Sequence, residues 1–322
     1  MLEVKLLRWL IYNNIAEVEI PNKYQPLILV DYNTEYKRIV VFCSIEGKRL
    51  LSVLKEFFVD GTFKSVPRPF IQLLTLHGDL GSTPETTNIV PLVYALMSDK
   101  TEESYFIVYD IIKAKIPDWQ PDKCHADFEM GLTNPLKDFF PNIILVRCHY
   151  HFVNSLWRKA KTLKLTSKLH RRIVALCAVL PLLPCDKVLE GYQYIKDQSE
   201  ILNETKLKSF LSYMQKTWLK NEQFISEWCI YDQRHRTNNF AEGWHSKLNR
   251  QINKNYVTMA KLLSVLEKDM SMNKMIVINF ENGIPSSKRR KTQTERDNFI
   301  LNAQMQLIHE EISVGHFMEQ LR

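Results

Sequence analysis

Between Phe57 and Arg147 the chain alternates in a way that few architectures accept. Three short apolar segments follow one another: Phe57–Phe63 (FFVDGTF), Phe70–His77 (FIQLLTLH) and Asn88–Met97 (NIVPLVYALM). Their connections are short, which predicts an antiparallel meander, with Pro91 marking an edge or a bulge. A helix is then predicted over Thr101–Ile116, with Thr101 as N-cap and Glu102 and Glu103 in its first turn. A short strand (Lys123–Asp127), a helix (Met130–Phe139) and an apolar strand (Ile143–Arg147) complete the run. Strands, helix, strand, helix, strand in that order predict an α/β fold, a mixed sheet with helices on its faces.

The flanking regions read differently. Residues 1–50, with apolar runs at Pro26–Val30 and Arg38–Cys43, are expected to form an N-terminal appendage. Residues 51–155 are the first part of the core, opening with a helical period over Gly47–Phe57. Residues 156–235 belong to an all-helical block in which apolar positions recur at three and four. Residues 236–282 carry two further helices, Asn239–Ile252 and Thr258–Phe280. Residues 283–322 read as a basic linker followed by a helix over Asn298–Leu321.

The N-terminal MLEVKLLRWLIYNN is interrupted by Lys5 and Arg8, unlike a secretory signal. The longest apolar run, Ile173 to Pro184, is well short of the roughly 20 residues of a membrane span. The six cysteines form no CxxC pair, which argues against a secreted disulfide framework. An intracellular protein with no membrane partner is expected.

Charge is unevenly placed. The net charge is +7, yet from Phe139 through Cys185 there is no Asp or Glu. That stretch carries Arg147, Arg158, Lys159, Lys161, Lys164, Lys168, Arg171 and Arg172, a local field suited to a polyanion. Trp157 lies among these bases, where an indole either stacks on an unpaired base or packs in a core. The basic stretch could equally be a solvated helix face.

Three acidic residues stand out. Asp60 sits among Phe57, Phe58, Val59 and Phe63, where an unpaired carboxylate is costly. Asp127 falls where a strand should meet a helix, and Glu242 begins the helix that opens in RTNNFAEGWHSKLN. Each has a plainer reading: an Asp-Gly hairpin turn for Asp60, a helix N-cap for Asp127, a capping box with Asn239 for Glu242. On that last helix Glu242, His245, Ser246 and Asn249 share a polar face, opposite Phe240, Trp244, Leu248 and Ile252. The apolar stripe would pack on the sheet and lay Glu242 along an edge. Three clustered carboxylates repel one another, and a divalent cation removes that penalty; oxygen ligands suit Mg²⁺ or Mn²⁺.

DGTFK at 60–64, ADFE at 126–129, Cys148-x-x-His151 and TNNFAEGWHSKLN at 237–249 together resemble the Mutator-like element (MULE) transposase family. The resemblance covers about residues 60–250. It implies an RNase H-like fold with an all-helical insertion before the Glu-bearing helix. It also implies a catalytic DDE triad of Asp60, Asp127 and Glu242 holding two Mg²⁺ (or Mn²⁺) ions, with Asp60 bridging them, for cleavage and transfer of DNA strands. Double-stranded DNA, as transposon ends and target, and a second copy of the chain are the partners so implied. His245 and the basic residues of 147–172 are then the DNA-binding set. Cys148 and His151 mark the family near its site; they supply only two ligands, so zinc is not expected. Residues 1–50 show no zinc finger of the kind such elements use to recognise their ends. This leaves open a fragment, or a non-cutting DNA-binding protein derived from a transposase. Lys288-Arg289-Arg290-Lys291 resembles a nuclear localisation signal, which agrees with a DNA-acting protein in the nucleus.

Overall fold

Seven strands and the helices between them form where the sequence places short apolar segments between caps. The computed structural model describes residues 18–200, 204–252, 257–284 and 288–322. The expectations for residues 1–17, including the reading of the N-terminus, lie outside the described residues. The chain divides into two units, one of Met1–Ile144 with Asn238–Lys288, the other of Leu145–Thr237 with Arg289–Arg322.

The sheet of the first unit is built from β1 (Ile28–Asn33), β2 (Arg38–Cys43), β3 (Glu56–Thr62), β4 (Gln72–Asp79), β5 (Ile89–Met97), β6 (Lys123–Ala126) and the strand β7 (Ile144–Arg147), which carries the chain into the second unit. Their order is β1-β2-β5-β4-β3-β6-β7. β3, β4 and β5 form the expected antiparallel meander, and β6 lies parallel to β3. The result is a mixed α/β sheet compatible with the RNase H-like fold. Pro91 sits at a register shift, where His77 pairs Pro91 while Leu76 pairs Val93, so the bulge accommodates the missing N–H inside a central strand.

Part of the N-terminal segment enters the sheet. It does not stand apart: β2 pairs with β5 from Ile39↔Met97 to Cys43↔Val93, and every residue of β2 is buried. A strand apolar on both faces needs cover on both and a backbone partner at its edge, and β5 supplies that edge.

Helices α1 (Ile45–Val53), α2 (Glu102–Lys115) and α3 (Met130–Phe139) connect these strands. Ser44 caps α1 by accepting from the Gly47 N–H, and Thr101 caps α2 by accepting from Ser104. Glu102 and Glu103 at the start of α2, with Lys113 and Lys115 at its end, match the helix dipole. On the face covered by α2, Phe57 meets Trp119, which packs against Tyr109 and Phe140. Side chains alternate across a strand, so Phe58 and Asp60 point to the opposite face.

That opposite face carries α9 (Asn239–Gln251) and α10 (Met259–Glu281). Leu248 and Ile252 of the α9 region and Leu262, Leu263, Leu266 and Met270 of α10 share one core with Val40, Phe42, Leu73, Tyr94 and Leu96 of the sheet. Between them in sequence lies the helical run of the second unit: α4 (His149–Thr162), α5 (Lys168–Val179), α6 (Val188–Glu200), α7 (Thr205–Thr217) and α8 (Glu222–Trp228). In it Phe152 stacks on Trp228 at 5.2 Å and meets Trp218 edge-on at 4.7 Å. Residues 201–203 of the helical block lie outside the description.

The C-terminal region also departs from expectation. The polar stretch turns helical at Lys291, and α11 (Lys291–Ile308) is separated from α12 (Val314–Leu321) by a break where Glu310 adopts a φ of 57°. Ser313 caps α12 by accepting from His316. Residues 285–287 of that linker are not among those described.

Candidate active site

Asp60 and Gly61 lie inside β3, paired with Thr75 and Leu74 of β4, so they are not a hairpin turn. At Gly61 a Cβ would stand 2.1 Å from the Gln72 amide nitrogen, so any larger residue there would displace the Gln72 side chain, whose Oε1 accepts from the Tyr105 hydroxyl.

The start of α9 is pinned to the same strand. Asn238 donates from Nδ2 to the Val59 carbonyl at 2.9 Å, and Phe240 meets Phe58 edge-on at 6.0 Å. Asn238 makes no side-chain cap, so the capping-box reading of Glu242 is not realised. Glu242 lies in the first turn of α9 and, with Asp60, lines a cavity of about 350 Å³. Gly61, Thr62, Phe63 and Lys64 of the β3 end form one wall of it; His245, Ser246 and Asn249 join Glu242 on the other. The polar face of α9 expected from its spacing therefore lines this cavity.

Asp127 follows β6 directly. Phe58 pairs His125 in the parallel register, and their rings stack at 4.3 Å. The paired register ends there, and Asp127 is the first residue after β6, which closes at Ala126. Asp127 does not line the cavity. Its Oδ1 accepts from the Glu129 N–H at 2.9 Å, while the N-cap of α3 is Glu129 rather than Asp127.

His245 was expected among the DNA-binding residues and instead is buried against Asp60. Its Nδ1 lies 2.9 Å from Asp60 Oδ2 and its Nε2 lies 3.1 Å from Thr75 Oγ1. Thr75 Oγ1 in turn lies 3.0 Å from His77 Nε2. An ionised Asp60 only accepts, so Nδ1 of His245 carries the proton. Thr75 Oγ1 therefore joins the two imidazoles, and it also lies 3.4 Å from the Asp60 carbonyl oxygen, to which it can donate. Burial, with His245 as a second cause, holds the His77 pKa down to about 3, so this ring stays neutral. The relay fixes the Asp60 carboxylate by one oxygen. Its other oxygen, Oδ1, has no hydrogen-bond partner among the described residues.

A second buried group holds α9. Asp269 of α10 accepts from the Tyr94 hydroxyl at 2.6 Å, the Trp244 Nε1–H at 2.9 Å and Asn273 at 3.2 Å. Burial, then the Asp269 charge, pushes the Tyr94 phenol well above its ordinary pKa, so it remains a donor. Thr75, His77, Asn238 and Asp269 are residues that sequence reading passed over. A signal existed for Asp269 alone: it falls on the buried stripe of α10 with Leu262, Leu266 and Met270.

The remaining residues of interest belong to the second unit. Cys148 is buried at the N-cap of α4, and His151 lies in its first turn. Arg147 is a further correction: it is 1% exposed and its guanidinium donates to Glu227 at 3.0 Å, so it is not a surface phosphate contact. Arg158, Lys161, Lys164, Lys168 and Arg171 are exposed, Arg172 is half-buried, and Lys159 lies over the Tyr213 ring at 5.3 Å. Trp157 is 39% exposed.

Residues 57–155 match the family model of the MULE transposase domain. The match includes Asp60, Asp127, Cys148 and His151 and stops short of Glu242. No curated protein matches the chain at a significant level.

Proposed function

From a chain that carries a MULE transposase domain over residues 57–155, we propose a DDE-type transposase that cleaves and joins strands of double-stranded DNA with a divalent metal ion. The observation that carries this reading is the meeting of Asp60 from β3 and Glu242 from α9 in one cavity; Asp127 follows β6, the strand parallel to β3.

The donor chemistry, though not yet the spacing, suits a hard divalent cation: among the described residues these three carboxylates are not gathered within 4.8 Å of one another. The set consists of carboxylate oxygens, which suit Mg²⁺ or Mn²⁺, and Asp60 Oδ1 has no competing hydrogen bond among the described residues. Asp60, Asp127 and Glu242 would hold the ions. Bound there, a divalent ion supplies Lewis-acid activation of the attacking oxygen and neutralises charge at the scissile phosphate. The protein's own contribution is placement. His245 holds Asp60 in one orientation, Thr75 engages the far nitrogen of His245, and the Asp269 cluster keeps α9, and with it Glu242, in place. Lys64 at the cavity wall is exposed and offers its ammonium to a phosphate. The exposed bases of α4 and α5 would follow the DNA backbone, with an affinity that falls steeply as salt rises.

A second copy of the chain, to synapse two ends, belongs to the same reading. So does nuclear import through Lys288, Arg290 and Lys291, which are exposed, and Arg289, which pairs with Asp297 at 2.6 Å. Among the described residues no helix is long and apolar enough to cross a membrane.

The test is nicking of supercoiled plasmid, and joining of a labelled oligonucleotide to it, in Mn²⁺ or Mg²⁺. Activity that EDTA stops and Asp60→Asn abolishes supports the proposal. Salt-sensitive DNA binding without cleavage in either metal would favour a non-cutting binder derived from a transposase.

A further inference from the structure

The second unit contains a cavity of about 470 Å³ between α4 and α5, lined by Trp157, Lys168, Leu169, Arg171, Arg172 and Arg322 among others. The size lies within the range of small-ligand pockets, roughly 300–1,000 Å³. Lys168, Arg171 and Arg172 share one face of α5 by their three- and four-residue spacing.

These groups are held unequally. Arg172 and Arg322 both engage the Glu319 carboxylate, and Arg172 also donates to Gln198 at 3.0 Å. They form a fixed, charged base. Lys168 and Arg171 are exposed, and their charged groups have no ion-pair or hydrogen-bond partner among the described residues. The Trp157 indole is part-exposed in the same cavity, with no ring contact and no hydrogen bond to its N–H among the described residues. The segment 139–185 itself contains no acid, so the carboxylates that reach α5 come from elsewhere in the chain, Glu319 on Arg172 and Glu204 on His170 at 2.7 Å.

A flat aromatic face beside two uncommitted cations fits a ligand that is itself flat and anionic. We propose that this pocket takes one unstacked nucleotide of a DNA strand, its base on Trp157 and its flanking phosphates on Lys168 and Arg171. A paired base hides both faces in the duplex stack, so the site selects a flipped or unpaired base. The inference rests on the reading that the chain acts on DNA, and it adds a discrimination that phosphate contacts alone do not give.

The test is fluorescence anisotropy of the full chain with a labelled 20-mer duplex, the same duplex bearing one extra unpaired base, and a version in which that base is abasic. The wild type should prefer the unpaired base by about 5- to 150-fold, the range of ~1–3 kcal/mol per stacked base. The abasic duplex should bind like the paired one. Trp157→Ala should bring the ratio to about one, and Trp157→Phe should restore most of it. Lys168→Ala with Arg171→Ala should weaken all three duplexes and reduce the salt slope by about two. Equal binding of paired and unpaired duplexes by the wild type, or a preference that survives Trp157→Ala, overturns the pocket and leaves the DNA reading standing. No binding to any duplex overturns both. A matching RNA strand that binds more tightly with the same Trp157 dependence overturns the assignment to DNA.

Discussion

Replacing Thr75 by Val tests the relay that holds Asp60. The two side chains have the same shape and both favour a strand, so the substitution leaves no cavity. It removes the one hydroxyl that joins His245 Nε2 at 3.1 Å to His77 Nε2 at 3.0 Å. Both rings are buried, His77 at 1% and His245 at 5% exposure, so bulk water does not reach the gap between them. Each stranded nitrogen costs about 1–3 kcal/mol, or about 2–6 kcal/mol for the pair. With a urea m-value of roughly 2 kcal/mol/M, the midpoint of the transition reporting the first unit should fall by about 1–3 M. Thr75→Ser is the control, since it keeps the hydroxyl and loses a methyl group, costing about 1 kcal/mol. Urea titrations followed by circular dichroism should rank wild type, Ser and Val in falling order. A Val variant as stable as the Ser variant would refute the relay.

Further consequences follow from the same geometry. His245→Gln should weaken Mn²⁺ binding by about 10- to 100-fold, read by calorimetric titration, because the carboxylate loses the partner that orients it; unchanged affinity would remove His245 from the site. His77 and His149 are both held neutral by burial, with pKa values lowered to about 3 and about 4. The unfolded chain therefore binds more protons below about pH 6.5, so each ring's contribution is complete above that pH. It is lost as pH falls towards the folded value, at up to ~1.4 kcal/mol per pH unit per group. Urea midpoints measured from pH 7 to pH 4 should fall accordingly, and a flat profile would contradict the burial. Glu227→Ala removes one charged partner of the buried Arg147 guanidinium and should destabilise the second unit, with Glu227→Gln milder, both seen by thermal denaturation; an unchanged midpoint would contradict the pairing.

What the sequence disclosed and what it hid divide by the range of the interaction involved. The meander β3–β5, helix α2 with its Thr101 cap and the polar face of α9 are set by short connections, local hydrogen bonds and a 3.6-residue period. All are visible in a single segment. The joining of β2 to β5 through Ile39↔Met97 is set by a distant edge, so residues 28–43 read as an appendage. Arg147 reads as part of a basic run because its partner, Glu227, lies far along the chain. His245 was legible as a polar neighbour of Glu242, but its bond to Asp60 depends on how α9 lands on the sheet. The helical start at Lys291 was hidden by composition: KTQTERD has no apolar stripe, and the periodic signal begins only at Phe299 and Ile300.

Glu242 is the most exacting point of the account, because the family match ends before it and its place rests on the cavity it shares with Asp60. Plasmid nicking in Mn²⁺ by Glu242→Gln, beside the wild type and Asp60→Asn, tests that place directly. Metal-dependent nicking is expected of the wild type and of neither variant, with DNA binding retained in both. Nicking by Glu242→Gln at the wild-type rate would contradict it.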